Sequence, residues 1–233
     1  MSIFRFKQFE VDQTGCAMKV NTDGVLLGAL TKSSNPQRIL DIGTGTGVIA
    51  LMLAQRFPQA FVDAVEIDEL AAKTAILNAE KSIFADRVRV KHSAYQDFEP
   101  NRSYDLIVSN PPFFVNDLRS DEHRKGLARH ADTDFFEMMV EKSARLLNKN
   151  GQFWLVLPLK QADQVIALAA EFGLSLCHRI NLHSDQTKPA FRQVIGLSEE
   201  SLPLIERDFY IYQSLNQNTE AYKLLLKDFF LAF

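Results

Sequence analysis

Two short stretches hold residues whose types and spacing could do chemistry. The first is Asp41-Ile-Gly43-Thr-Gly45-Thr-Gly47, with glycines at alternate positions directly after an apolar run. Glycine permits backbone angles closed to other residues and lets a ligand approach the main chain, while a helix starting behind such a loop adds a favourable dipole. Glu66 stands 25 positions after Asp41, where a carboxylate can accept hydrogen bonds from both hydroxyls of a ribose. Gly45, Gly47 and Ala50 also satisfy GxGxxA, so a nicotinamide dinucleotide fits this pattern as well. The second stretch is Asn110-Pro111-Pro112-Phe113, which closes the apolar run YDLIVS. The Asn110 side-chain carbonyl and the Pro111 backbone carbonyl can each accept one N–H, and the two prolines fix the backbone so that both acceptors converge.

Such residues need a scaffold, and hydrophobic periodicity supplies one. RILDIG (38–43), FVDAVEI (61–67), RVRVKH (87–92), YDLIVSN (104–110) and GQFWLVLP (151–158) read as strands, being short, β-branched or aromatic, and bounded by turn residues. Helical patterns over 48–57, 69–81, 133–147 and 159–172 alternate with them. That alternation predicts a doubly wound α/β architecture, with a mostly parallel sheet covered on both faces. LSLCHRINL (174–182) and FRQVIGLS (191–198) add an antiparallel C-terminal hairpin at the sheet edge, for seven strands in all. Residues 1–35 form a short N-terminal appendage to a core spanning 36–233, the whole chain being one domain; there FRFKQFEV alternates as a strand, and TDGVLLGAL reads as a helix capped by Thr22 or Asp23. Asp68 is placed to cap the helix that follows Glu66. In an open α/β sheet the ligand crevice lies at the carboxyl ends of the strands, which is where the glycine loop, Glu66 and Asn110 all fall.

Composition narrows the choice of chemistry. With 233 residues, 46% of them hydrophobic, the chain can bury one sizeable core. It has neither a run of about 18 apolar residues nor a secretory leader pattern, so a cytoplasmic protein is expected and no membrane partner. Cys16 and Cys177 lack a CxxC spacing or a nearby histidine pair, which supports neither a disulfide framework nor a metal site. A net charge of −3 argues against coating nucleic acid by global positive charge. A local patch is available in RSDEHRKGLARH (119–130), which otherwise reads as a solvated loop.

The form DxGxGxG resembles motif I of the Rossmann-like S-adenosylmethionine-dependent methyltransferases, and Asn-Pro-Pro-Phe resembles their motif IV, found where an amino nitrogen conjugated to a planar system is methylated. Such an amine is a poor nucleophile and must be oriented. With its hydrogens on Asn110 and Pro111, its lone pair can face the methyl donor, and Phe113 can stack on an extruded base. Phe114 is left to packing. Together with CAMKVNTDGVLLGA (16–29), VEID and an Arg-His pair near residue 130, these motifs are similar to the bacterial tRNA1(Val) adenine-37 N6-methyltransferase family across nearly the whole chain.

That resemblance implies S-adenosylmethionine as cofactor, held by Asp41, Gly43, Gly45, Gly47, Glu66 and Ile67. It also implies Thr22 and Asp23 near the methionine end, with Lys19 close by, and Asn110 against the methyl group. Relatives in the wider class place an Asp after the third strand for the cofactor adenine; this chain has Tyr95 there, leaving Tyr95, Asp97 or a backbone group to serve. The implied substrate is the anticodon arm of a tRNA, contacted by Arg124, Lys125, Arg129, Lys188 and Arg192, and a monomer is the expected state. The other readings the motifs permit are methylation of a guanine N2 in ribosomal RNA or of a protein glutamine, a nicotinamide-dependent oxidoreductase, and a non-catalytic RNA-binding module.

Overall fold

A computed structural model describes residues 2–16, 18–112 and 122–233, with the backbone alone over 122–133. The chain begins with a two-stranded antiparallel hairpin, β1 (Ile3–Arg5) and β2 (Glu10–Asp12), and not with one strand. The Phe6 N–H donates to the Phe9 carbonyl at 2.9 Å and turns the segment back on itself. Helix α1 (Thr22–Leu30) follows, and its cap is Asn21, whose side chain accepts from Gly24 N at 2.9 Å. Any of three successive residues in Asn-Thr-Asp could cap; the extended backbone at Asn21 decides it.

Strands and helices then alternate as the periodicity predicts: β3 (Arg38–Ile42), α2 (Val48–Arg56), β4 (Phe61–Glu66), α3 (Glu69–Lys81), β5 (Val88–His92) and β6 (Tyr104–Ser109). Helix α4 (Glu122–Leu146) begins ten residues after Pro112, covering residues expected as a loop. Strand β7 (Leu147–Leu157), helix α5 (Leu159–Glu171), and strands β8 (Ser175–His183) and β9 (Ala190–Ser198) complete the predicted set. Strand β10 (Ile205–Tyr210) was not legible in the sequence; it lies parallel to β8 and extends the sheet to eight strands, in the order β10-β8-β9-β7-β6-β3-β4-β5. The β8–β9 hairpin therefore sits inside the sheet, and β10 takes the edge. A second small hairpin, β11 (Tyr212–Ser214) with β12 (Gln217–Asn218), and helix α6 (Glu220–Leu226) end the chain.

Successive residues of the central strands face opposite layers. Leu106, Val108, Trp154 and Val156 pack with α1 and α2, whereas Ile107, Phe153, Leu155 and Leu157 pack with α4 and α5. Burial on both faces is what gives these strands their near-continuous apolar runs. Each large side chain so buried contributes about 1.5–3 kcal/mol. Because β3 lies between β4 and β6, the chain reverses direction across the sheet between β3 and β6, and a crevice opens at their carboxyl ends. Among the described residues no helix is long and apolar enough to cross a membrane, and no group of metal-ligating side chains gathers.

Candidate active site

The glycine loop is shaped by carboxylates behind and beside it. Gly43 (φ +67°), Gly45 (φ +58°) and Gly47 (φ +87°) all adopt left-handed angles. A methyl added at Gly43 or Gly45 would meet no protein atom within 4 Å, so both open onto free space, whereas one at Gly47 would press on Ala75 at 3.4 Å. Asp41 is completely buried behind the loop. Its Oδ2 accepts from Thr44 Oγ1 at 2.5 Å and from Ala50 N at 3.1 Å, while Oδ1 has no partner. Burial pushes its carboxyl up to about 7, against those two hydrogen bonds and aided by the nearby Glu66 charge. Glu66 accepts from Gly45 N and from Asp68 N, both at 2.8 Å, and so ties the loop to the start of α3. Asp68 caps α3 as expected, accepting from Ala71 N at 2.8 Å.

Gly43, Gly45, Glu66 and Asp68 border one cavity of about 360 Å³, within the range of small-molecule sites, about 300–1,000 Å³. Gly43, Gly45, Glu66 and Ile67 form one wall, the segment 93–96 another, and Ser109, Asn110, Pro111 and Pro112 a third. Ser109 Oγ donates to the Ile42 carbonyl at 2.9 Å, holding the ends of β3 and β6 together. Asn110 Oδ1 is buried without a hydrogen-bond partner, a state that costs about 1–3 kcal/mol unless something donates to it. The first turn of α1 backs this amide, since a methyl on Gly24 would lie 3.5 Å from Asn110 Nδ2.

Several expected residues stand elsewhere. Asp41 and Gly47 position the loop and do not line the cavity; neither does exposed Asp97, whose place in the short 3-10 turn Tyr95–Asp97 aims it outward. Tyr95 does line it, but its hydroxyl pairs with Ser143 Oγ at 3.1 Å, so only its ring face is offered. Burial carries that phenol far above its ordinary value. Thr22 and Asp23 are likewise off the cavity, and Asp23 Oδ2 instead accepts from Arg192 Nε at 3.0 Å. Thus two residues assigned to different ligands are joined to each other. Lys188 lies exposed in the β8–β9 turn, at the same end of the sheet as the cavity, because Gln193 pairs with Leu157 at the carboxyl end of β7. Phe113 and Phe114, and the side chains of Arg124, Lys125 and Arg129, lie outside the described residues.

Other positioning residues carried no sequence signal. Asn78, buried in α3, donates to the carbonyls of Thr46 and Asp12, each at 2.9 Å, and accepts from Asp12 N, fastening β2 to the glycine loop. Lys142 of α4 donates from a buried ammonium to the Gln96 carbonyl at 2.9 Å and to Glu99 at 2.8 Å, and lies 5.5 Å above the Tyr95 ring. Met18, Phe135 and Met138 contribute apolar wall.

The family model of the methyltransferase small domain matches residues 19–176. A protein of Pedobacter heparinus named tRNA1(Val) (adenine(37)-N6)-methyltransferase is 57% identical over 230 residues, covering 99% of this chain and 98% of its own. The chain belongs to that family. A protein of the same name from Dyadobacter fermentans is 41% identical over 99% of this chain and 98% of its own length. Among solved structures, a predicted O-methyltransferase from Agrobacterium tumefaciens superposes with a TM-score of 0.69 over 89% of this chain and 96% of its own, at 18% identity, a likeness of fold. The Rossmann-like methyltransferase architecture is thereby established for this sheet. Read with membership in this family, the loop with Ala50 behind it is a methyltransferase motif I, and the dinucleotide alternative falls away.

Proposed function

We propose that this protein methylates the N6 amine of adenine-37 in tRNA1(Val), with S-adenosylmethionine as donor. The reading rests on Asn110 Oδ1, a buried acceptor without a partner, in a residue that lines the same cavity as Pro111, Pro112 and the loop glycines Gly43 and Gly45. The names carried by its relatives supply the target base.

The residues present suit the cofactor. Gly43 and Gly45 leave room for close approach to the main chain, and each Glu66 oxygen, already accepting one N–H, keeps a lone pair for a ribose hydroxyl. Tyr95 offers a ring face to the adenine, and the backbone of the 93–96 segment replaces Asp97 as its polar partner. When bound, S-adenosylmethionine supplies an electrophilic methyl on a sulfonium.

The chain's own task is orientation. Asn110 Oδ1 and the Pro111 carbonyl accept the two amine hydrogens, turning the nitrogen lone pair into the cavity, and Phe113 stacks on the extruded base at about 1–3 kcal/mol. No strong base is needed, because the amine becomes acidic as the carbon–nitrogen bond forms. Anticodon-loop bases are already partly unstacked, which lowers the cost of extrusion. Lys188, Arg192, Arg124, Lys125 and Arg129 make phosphate contacts along the arm, and Arg192 exchanges its bond to Asp23 for a phosphate oxygen.

Methylation of total tRNA followed by nucleoside mass analysis tests the reading: N6-methyladenosine is expected, while N2-methylguanosine or no product would overturn it. Asn110→Ala should lower turnover by about 10²–10³, as loss of one preorganised hydrogen-bonding group does. Its affinity for S-adenosylmethionine, measured by calorimetry, should change little. Near wild-type turnover in that variant would remove Asn110 from the role given to it.

A further inference from the structure

At the opposite end of the sheet lies a second polar cavity, of about 450 Å³, lined by Lys32, Ser33, Ser34, Arg56, Gln152 and His178. It is separate from the methyl-transfer crevice: Gln152 stands near the start of the sheet-paired part of β7, Arg56 ends α2, and Lys32, Ser33 and Ser34 follow α1. Every one of these side chains can donate a hydrogen bond, and no carboxylate is among the described residues lining the cavity. Gln152 is oriented by Trp154, whose Nε1 donates to Gln152 Oε1 at 2.9 Å, which leaves the amide NH2 for the cavity. Arg56 spends one nitrogen on the Gly28 carbonyl at 2.7 Å, and a guanidinium has further N–H groups. His178 Nδ1 is 3.4 Å from Cys177 Sγ, whose thiol donates to the Gly196 carbonyl, so Nδ1 carries the hydrogen and Nε2 is the remaining ring nitrogen.

We propose that this cavity binds a phosphoryl oxyanion. A converging set of donors that includes two permanent cations, without an acid to neutralise them, is the arrangement that charge-assisted binding of a phosphate requires. Electrostatics agrees with the geometry: burial, and then the charges of Lys32 and Arg207, hold the His178 imidazolium below its usual range, and burial pulls Arg56 down to about 10. Among the described residues no carboxylate is paired with either side chain, and a bound anion would supply that charge. The other neighbours of His178 do not supply it, since Trp154 and Gly196 are uncharged and Glu206 on β10 faces Arg179 at 3.6 Å. Binding is therefore coupled to protonation of His178, and affinity rises as pH falls through its pKa.

The chain carries a single tryptophan, and Trp154 lies against His178 with ring centroids 4.7 Å apart and the planes tilted by 38°, which provides an internal reporter. Inorganic phosphate titrated into the full-length protein at constant ionic strength should change Trp154 fluorescence saturably and move the His178 ring titration, followed by NMR, to higher pH. Arg56→Gln could disturb α1 through the lost Gly28 bond, so the diagnostic variant is Lys32→Glu, on an exposed loop. It should weaken phosphate binding about tenfold or more, the effect of losing one charge-assisted contact, with thermal unfolding and S-adenosylmethionine affinity unchanged. A second arm adds a short oligoribonucleotide: displacement of phosphate at much lower concentration identifies an RNA phosphodiester as the source, and failure to displace identifies a small free phosphate compound. An equal response to chloride at matched ionic strength, or unchanged binding in Lys32→Glu, would overturn the proposal.

Discussion

Asp41 is fully buried behind the glycine loop and stands off the cavity wall. Its folded carboxyl, pushed by burial to about 7 from a usual 3.8, keeps a proton that the unfolded chain has lost over that interval, so its contribution to stability diminishes as pH rises from about 4 to 7. Asp41→Asn should flatten this component: the difference in unfolding free energy between variant and wild type, measured by denaturant titration, should move in favour of the variant across that range. A difference independent of pH would mean the carboxyl is charged throughout. At this scale the sequence was informative where the residue type has one use at its spacing. Glu66 and Asn110 stand where the motifs place them, on the cavity. It was uninformative for Asn78 and Lys142, because an amide in LNAEK and a lysine in VEKSARLL look like ordinary helix-surface residues until tertiary packing buries them.

Among the elements, the 3-10 turn Tyr95–Asp97 depends on α4 to hold its place. Lys142 grips the Gln96 carbonyl and Ser143 grips the Tyr95 hydroxyl, so the helix that leads away from the Pro-Pro segment also fixes the opposite wall of the cavity. Lys142→Met should weaken S-adenosylmethionine binding by about tenfold, the worth of one hydrogen bond to a charged donor, while Lys142→Arg should recover part of it; unaltered affinity in the methionine variant would show that the turn stands by itself. The glycine loop makes a sharper demand. Gly45→Ala forces a side chain into a left-handed angle at about 1 kcal/mol and projects a methyl into the cavity, so cofactor affinity should fall far more than thermal stability. Elements buried on both faces, β3, β4, β6 and β7, were readable from apolar runs, and the edge strand β5 from its alternation. Strand β10, IERDFY, was not, since most of its side chains are exposed and it pairs along one edge only, leaving no alternation to detect. The early start of α4 escaped for a related reason: EHRKGLARHADT has good helix formers and no apolar repeat.

For the molecule as a whole, what the sequence presents as an appendage is joined to the chain's other end. Phe6 bridges to Phe230, Lys7 Nζ donates to the carbonyl oxygens of Lys227 and Phe233 at 2.6 Å each, and Phe6, Phe9, Val11 and Phe229 belong to the same buried cluster as α1 and α2. Removing residues 229–233 should therefore cost about 3–5 kcal/mol, the usual loss for a buried phenylalanine, and lower the melting temperature of the entire protein in one calorimetric transition; an independent early transition would show that the N-terminal hairpin unfolds separately. Asn110 has a consequence at the same scale. Its lone carbonyl is desolvated before any substrate arrives, so the folded state carries a standing penalty that only the substrate relieves, and fitness for catalysis is set against persistence of the fold. An Asn110→Leu enzyme should be inert yet melt higher, by about 2–4 °C for each kcal/mol recovered, and the same site should be where random selection for heat tolerance, applied without selection for activity, first discards the amide.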